Sequence, residues 1–295
     1  MKPADERTAR FWEASHAADC AADAFLEHPV IQAYLSLRAY GSTRAHLDVA
    51  IDELRQRTAP GARILSVGCG AANKERVICR ALPDRQMFGV DVARQTLART
   101  AEECRAEGID NLTLDYGDFN ALDLEPASFD AILGLGAIHH VENLESFWTQ
   151  CRSALRPAGF VLAQEYVGPS RFQWTDAQIA HGNRVLADLV PRALQVHHTE
   201  VQRVVLAEII AADPSEAVRS EELLSTCTAA GLRLDAHHGA GCGLLLPVLW
   251  DQVHAFDPHD WDHNHVLFQL FAAEAQLIDD GVVGDCYAMF SAVPA

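Results

Sequence analysis

The stretch Ile64-Leu65-Ser66-Val67-Gly68-Cys69-Gly70-Ala71-Ala72-Asn73 decides the fold. The apolar run 63–68 is typical of a buried parallel strand, and a helical pattern over 71–82 follows it directly. Glycine at this junction lets the backbone turn tightly and lets a ligand approach with no Cβ atom in the way. The stretch therefore predicts a strand–turn–helix unit that can hold a ligand at its turn.

An acidic residue stands at the end of the next predicted strand. Asp91 ends the second predicted strand, 86–92, and stands 21 positions after Gly70. A carboxylate there can accept hydrogen bonds from both hydroxyls of a ribose. A dinucleotide fingerprint would need glycine where Asn73 stands, so a nucleoside cofactor without a pyrophosphate, such as S-adenosylmethionine, fits better. The plain alternative is a glycine turn in a ligand-free core, with Asp91 as a helix cap.

Strands and helices alternate on both sides of this pair. Further strands are predicted at 112–116, 129–133, 160–167, 232–237 and 287–293, with helices at 93–108 and 144–155 between the earlier ones. Such alternation is typical of βαβ units and a parallel sheet. We predict a Rossmann-like α/β fold with a seven-stranded, mostly parallel sheet, helices on both faces and a helical cap.

The helical patterns outside this core predict the domain organisation. Residues 1–60 form an N-terminal helical cap segment and 61–169 the cofactor-binding core. A helical insertion then covers 170–220. The rest of the core sheet lies in 221–295, with a further helical insertion at about 240–282.

Composition excludes several partners. The 295 residues carry 23 basic and 41 acidic side chains, a net charge of −18, which disfavours nucleic acid and anionic membranes. No apolar run approaches the ~20 residues of a membrane span, and the first six residues do not resemble a signal peptide. The eight cysteines include no CxxC pair, so we expect reduced thiols in a cytoplasmic protein.

Four segments in order carry a family resemblance: "LSVGCG" (65–70), "FGVDV" (88–92), "YGDFNALDLEPASFDAILGLGAIHHV" (116–141) and "ALRPAGFVLAQEYVG" (154–168). Together they resemble the class I S-adenosylmethionine-dependent methyltransferases. The sequence is also similar to a bacterial small-molecule subgroup in which "EYVGPSRFQW" (165–174) follows the fifth strand.

The resemblance implies a set of cofactor contacts. The first loop would line the methionine and ribose side, Asp91 would bind the ribose diol, Val92 and the next loop would contact adenine, and the end of the fourth strand would face the aminoacyl group. The residues so implied are Gly68, Cys69, Gly70, Asp91, Val92, Asp118, Phe119, Gly134 and Leu135. Ser66 stands where the family often has a carboxylate for the cofactor's amino group.

Candidate catalytic residues follow the fourth and fifth strands. We favour His140 as a base or substrate-orienting residue, with His139 beside it, because histidine titrates near neutrality. The alternative is that this histidine pair is a structural loop element. Glu165 could bind an acceptor amine or orient His140, or simply pair with a loop backbone. Candidate substrate contacts are Tyr166, Arg171 and Trp174; cap packing is the alternative for Arg171 and Trp174.

The functional hypothesis is methyl transfer from S-adenosyl-L-methionine to an oxygen or nitrogen atom of a small molecule, in a bacterial specialised-metabolite pathway. The alternatives are a cofactor-binding scaffold or enzyme of another activity, and a nicotinamide-dependent oxidoreductase. A homodimer is compatible with the sequence. We expect no metal, although the segment His259-Asp260-Trp261-Asp262-His263-Asn264-His265 has metal-binding residue types.

Overall fold

A seven-stranded sheet forms the centre of the computed structural model, which describes residues 6–17 and 24–295, with side chains described for 7–15 and 25–295. The strands, in chain order, are β1 (Arg63–Val67), β2 (Gln86–Asp91), β3 (Leu112–Tyr116), β4 (Phe129–Leu135), β5 (Leu155–Tyr166), β6 (Leu232–Gly241) and β7 (Tyr287–Pro294). Their order across the sheet is β3-β2-β1-β4-β5-β7-β6. The strands β1 to β5 pair in parallel, and β7 is antiparallel to both of its neighbours. The predicted fold class is confirmed.

Twelve helices are described around this sheet. They are α1 (Glu6–Ala17), α2 (Ala24–Glu27), α3 (Pro29–Tyr40), α4 (His46–Arg57), α5 (Asn73–Ala81), α6 (Arg94–Ala106), α7 (Leu144–Ala154), α8 (Asp176–Asp188), α9 (Leu206–Ala212), α10 (Leu223–Ala229), α11 (Leu245–Leu249) and α12 (Trp261–Asp279). Helices α1 to α4 precede the first strand, α8 and α9 lie between β5 and β6 in the chain, and α11 and α12 lie between β6 and β7.

The segment 170–220 is less helical than its sequence predicts. Between α8 and α9 the chain runs without regular helix apart from a single turn at Arg192–Leu194. Side-chain amides satisfy its backbone instead: Asn183 exchanges two hydrogen bonds with the backbone of Val201, and Gln195 donates to the carbonyl oxygens of Leu186 and Val190. A loop whose polar backbone groups are paired in this way does not need a helix.

Strand β5 also begins earlier than predicted. Residues 156–159, which separate the predicted helix 144–155 from the predicted strand 160–167, belong to the strand. Ala158 has a left-handed φ of 66°, and the pairing register with β4 shifts between Phe129 and Ala131. The residues that favour a turn therefore make the strand irregular at this point, but they do not interrupt it.

The helices outside the sheet share a core of their own. Tyr34 on α3 stacks on Phe271 of α12 with ring centroids 4.2 Å apart. Glu274, also on α12, is fully buried. Its carboxylate accepts hydrogen bonds of 2.8–2.9 Å from the Tyr34 hydroxyl and from the backbone N–H groups of Cys242, Leu244 and Leu245. This carboxylate joins α3 and α12 to the start of α11.

The seven cysteines within the described parts of the chain are buried free thiols; Cys20 lies outside them. In the same parts of the chain, no helix combines the length and the apolar character needed to cross a membrane.

Candidate active site

A cavity of about 670 Å³ opens at the carboxyl ends of the parallel strands. It lies beside β1 and β4, where the strand order reverses direction, which is the place where open α/β sheets bind ligands. Eight of the nine predicted cofactor residues line it: Gly68, Cys69, Gly70, Asp91, Val92, Asp118, Phe119 and Leu135. Gly134 does not line it.

Gly68 shows why the first loop needs glycine. Its φ is +64°, and a Cβ atom at this position would lie 2.5 Å from the Cβ of Ala137. Its N–H donates to the carbonyl oxygen of Val90 at 2.8 Å, which ties the loop to β2. Gly68 therefore lets the loops after β1 and β4 approach each other at one end of the cavity.

Asp91 faces the cavity and is 6% exposed. Its Oδ2 accepts from the Gly70 N–H and its Oδ1 from the Ala93 N–H, both at 2.9 Å. The second bond is made to the residue before α6, so Asp91 fixes the entry to that helix, but it does not cap the helix as the alternative interpretation suggested. A carboxylate has about four acceptor positions, so two remain for a ligand.

A carboxylate that the sequence did not indicate lies beneath the first loop. Glu75, on α5, is 3% exposed, lines the cavity, and accepts a hydrogen bond of 2.7 Å from the Ser66 hydroxyl. Burial raises the pKa of Glu75 despite that hydrogen bond. Ser66 and Glu75 are nine positions apart, so only the turn of the chain from β1 into α5 reveals that they form a pair.

On the other side of the loop, Lys74 donates from Nζ to the carbonyl oxygen of Leu135 at 2.7 Å. In the loop after β3, Asp118 accepts from the Asn120 N–H at 2.9 Å, and Phe119 is half-buried at the cavity wall. The first contact ties α5 to the end of β4, and the second fixes the shape of the loop after β3.

Glu165 orients His139 and not His140. Its Oε2 lies 2.7 Å from His139 Nδ1, while its Oε1 accepts from the N–H groups of Ala137 and Ile138 at 2.9 and 2.8 Å. Burial opposes ionisation of Glu165, but the hydrogen bond from His139 and those from the backbone outweigh it and lower its pKa. The suggested pairing with a loop backbone is thus observed, and the suggested orientation of His140 is not.

His140 is the more deeply buried of the two histidines, at 5% exposed. Its ring meets Trp12 edge to face at 5.0 Å, and its Nδ1 lies 3.2 Å from the Ser215 hydroxyl and 3.6 Å from Asp213 Oδ2. Burial lowers the pKa of His140 to about 3, and the neighbouring His139 acts in the same direction. A neutral imidazole is therefore present at this point over the usual range of pH.

The insertion after β5 adds charge to the same wall. Glu216 Oε1 lies 3.7 Å from His139 Nε2, and burial raises the pKa of Glu216. Arg171 lines the cavity as predicted and donates to the backbone carbonyl of Glu216 at 3.0 Å. Its φ of 56° is unusual for a residue other than glycine and marks strain beside the cavity.

Two predicted substrate contacts do not line the cavity. Tyr166 and Trp174 are 1% and 2% exposed and belong to the hydrophobic core around α8 and α11. The Tyr166 hydroxyl donates to the carbonyl oxygen of Pro169. For Trp174 the structure therefore shows cap packing, the alternative to a substrate contact.

The remaining walls come from distant parts of the chain. Trp12 of α1, Phe25 of α2, Leu35 of α3, Leu246 of α11 and Trp250 after it close the cavity on the side away from the sheet. No motif identifies them, because apolar residues on helices are equally typical of core packing.

Residues 64–159 match the family model described as "Methyltransferase domain". This match identifies residues 64–159 as a methyltransferase domain, and the sheet order and the position of the cavity are similar to those of the class I S-adenosylmethionine-dependent methyltransferases. S-Adenosylmethionine is the cofactor of that family.

Curated relatives include sterol 24-C-methyltransferase of Clavispora lusitaniae, 30% identical over 134 residues, which are 44% of this chain and 35% of the relative. Another is the ubiquinone biosynthesis O-methyltransferase of Agrobacterium fabrum, 29% identical over 109 residues, 36% of this chain and 42% of that protein. The similarity thus spans less than half the length of these relatives.

Among solved structures, geranyl diphosphate C-methyltransferase from Streptomyces coelicolor A3(2), determined with Mg²⁺, geranyl diphosphate and S-adenosyl-L-homocysteine, superposes with a TM-score of 0.58. The alignment covers 98% of each chain at 14% identity. At this identity the likeness concerns the fold, and it extends over the helices outside the sheet as well as over the core.

Proposed function

We propose that this protein transfers a methyl group from S-adenosylmethionine to an oxygen or nitrogen atom of a small-molecule acceptor. One observation carries the proposal: a single cavity of about 670 Å³ has the glycine loop and Asp91 on one wall and the histidine pair on another. Its volume is in the range of small-molecule sites. The similarity to a bacterial small-molecule subgroup supports an acceptor from a specialised-metabolite pathway.

The residues around the first loop suit the cofactor. Asp91 would accept from the two ribose hydroxyls with the positions that its backbone contacts leave open. Glu75 supplies the carboxylate that is missing at position 66, so it would hold the cofactor's ammonium group, with Ser66 fixing its orientation. Val92, Asp118 and Phe119 would then surround the adenine.

The acceptor side is the wall built from the histidines. The cofactor supplies an activated methyl group, so the main task of the protein is to align the acceptor and exclude water. Glu165 holds His139 through Nδ1, and Trp12 packs edge to face against the ring of His140. Because neither imidazole is exposed, an acceptor bound here would be positioned in a site with little competing water.

Isothermal titration with S-adenosylmethionine and S-adenosylhomocysteine tests the cofactor part. We expect saturable binding of one ligand per chain, and no binding of either at millimolar concentration would overturn the proposal. Asp91→Ala should weaken binding by about 1–3 kcal/mol through the lost hydrogen bonds. Asp115→Ala, an exposed carboxylate next to Val90 in the β2–β3 pairing, is the matched control and should bind normally.

The transfer itself is tested by mass spectrometry. The protein is incubated with the cofactor and a panel of phenols, carboxylic acids and amines. A product heavier by one methylene group, together with S-adenosylhomocysteine, supports the proposal. Cofactor binding without such a product for any acceptor, but with another conversion, would indicate a different activity at the same site.

A further inference from the structure

The acceptor wall contains a group of potential metal ligands. Within the described parts of the chain, one donor atom each from His139, His140 and Glu216 lies within 4.8 Å of the others. Protein nitrogen and oxygen ligands bind a zinc-like cation at about 2.0–2.2 Å, so two ligands of one cation lie about 3–4 Å apart. The 3.7 Å between His139 Nε2 and Glu216 Oε1 already falls in that range.

The neighbours of His139 prepare it to bind a cation. Since a carboxylate can only accept, the contact of 2.7 Å with Glu165 places a hydrogen on Nδ1, so the lone pair of the neutral ring is on Nε2. A carboxylate behind a ligating imidazole is the usual outer partner in metal sites, where it fixes the tautomer and the ring orientation. Glu165 is itself held by the backbone N–H groups of Ala137 and Ile138.

A second observation is the negative charge around the histidine pair. Asp213 is 5% exposed, and its Oδ2 is buried without a hydrogen-bond partner while it lies 3.6 Å from His140 Nδ1. A buried carboxylate oxygen without a donor is costly unless a positive charge lies close by. Three carboxylates, those of Glu165, Asp213 and Glu216, surround the histidine pair.

Arg171 is a basic side chain beside this group, and it donates to the backbone carbonyl of Glu216. Its charge acts on both Asp213 and Glu216, but among the described residues it forms no ion pair with either carboxylate, so their oxygen atoms can still bind a cation.

We propose that His139, His140 and Glu216 form a binding site for one divalent transition-metal cation on the acceptor wall of the cavity. Two imidazoles and one carboxylate favour Zn²⁺, Fe²⁺, Co²⁺ or Ni²⁺ over Mg²⁺ and Ca²⁺, which prefer oxygen ligands throughout. Three protein ligands leave coordination positions open toward the cavity, as in catalytic rather than structural metal sites.

The site also narrows the acceptor class, and this part rests on the proposed function. A cation at this position would bind an acceptor through an oxygen atom and lower the pKa of a bound hydroxyl group. It would therefore select acceptors with a ligating oxygen, such as phenols, hydroxy acids and enols, over simple amines. His139 Nε2 would then serve as a ligand and not as a free base.

Titration of the metal-free full chain with CoCl₂, in the absence of S-adenosylmethionine, tests the site independently of methyl transfer. We expect one tightly bound Co²⁺ with visible ligand-field absorption. Glu216→Gln and His139→Gln should each weaken binding at least 10-fold, and Glu165→Gln should weaken it about 10- to 100-fold as an outer-shell change. Glu216 is partly exposed, so its variant is the one least prone to misfold.

His265→Gln is the matched control, because this exposed histidine lies in the histidine-rich segment that runs into the first turns of α12. Its Co²⁺ affinity should equal that of the wild type. Absence of saturable binding would overturn the site, and so would tight binding that Glu216→Gln and His139→Gln leave unchanged. Loss of the tight site in His265→Gln would likewise overturn it and assign the cation to the other segment.

Acetohydroxamate, a small bidentate oxygen ligand, tests the open positions. Added to the Co²⁺ form, it should shift the visible bands. An unchanged spectrum would show a closed coordination sphere and overturn the proposed acceptor class, whatever the result of cofactor titration.

Discussion

Replacement of Gly68 by alanine tests how the first loop is built. Two costs are expected, and a second glycine separates them. Gly68 and Gly41 have nearly the same φ, +64° and +66°, but a Cβ atom at Gly41 would have no atom within 4 Å. At Gly68 it would lie 2.5 Å from Ala137 Cβ and 3.3 Å from a ring carbon of Phe119.

The structure sets the magnitudes. A left-handed backbone costs an alanine about 1–2 kcal/mol, and Gly41→Ala should lose only that amount of unfolding free energy. Ala137 Cβ has no rotamer by which to move away, so at Gly68 the backbone must shift, and overpacking of this kind costs a further ~1–3 kcal/mol. Gly68→Ala should therefore lose about 2–5 kcal/mol.

Urea denaturation of Gly68→Ala, Gly41→Ala, Ala137→Gly and the double variant Gly68→Ala/Ala137→Gly measures these terms. The second change removes the clashing atom, so the double variant should recover the overpacking cost and show a coupling energy above ~1 kcal/mol. Equal losses at Gly68 and Gly41, or additivity within about 0.5 kcal/mol, would refute the argument that the two loops require glycine for their approach.

Three further predictions concern buried ionisable groups. Glu75→Gln should weaken S-adenosylmethionine binding by about 1.5–3 kcal/mol in titration calorimetry, since a charged partner of the ammonium is lost; unchanged affinity would remove its role. Glu274→Gln should lower the unfolding free energy by about 2–4 kcal/mol in urea, because an amide cannot accept from all four donors; a loss under ~0.5 kcal/mol would contradict this. Burial lowers the pKa of His46 to about 4 from 6.5. Below pH 6.5 the unfolded chain therefore binds the proton first, and stability should fall by about 1–2 kcal/mol at pH 5 relative to pH 7.5. In His46→Gln the loss of stability caused by this histidine should be absent. A pH profile of unfolding equal to that of the wild type would contradict the role of His46.

The sequence predicted the sheet well because its strands carry strong local signals. Short apolar runs that end in glycine or aspartate, such as those leading to Gly68 and Asp91, can be interpreted without distant contacts. The positions of the candidate cofactor residues follow from the same signals, since parallel strands bring their carboxyl ends to one edge. Gly134 departs from this pattern: it follows the correct strand, but it does not line the cavity.

Residues that act through distant partners could not be identified in this way. Glu75 has no motif, and its place beside Ser66 depends on how α5 leaves the first loop. The different surroundings of the two histidines also depend on packing. Glu165 contacts the ring of His139, and Trp12 packs against the ring of His140.

By itself the sequence determined three features. These are the alternation of strands and helices, the position of the candidate cofactor residues at the carboxyl ends of the strands, and the net negative charge. These depend on local periodicity and composition, which each segment carries with it. Only the tertiary structure decided the acceptor wall, because Glu216 meets His139 across 77 positions of chain and the helices that close the cavity are apolar for core and site alike. Chemistry made from groups far apart in sequence exists only after the chain has folded and buried them together.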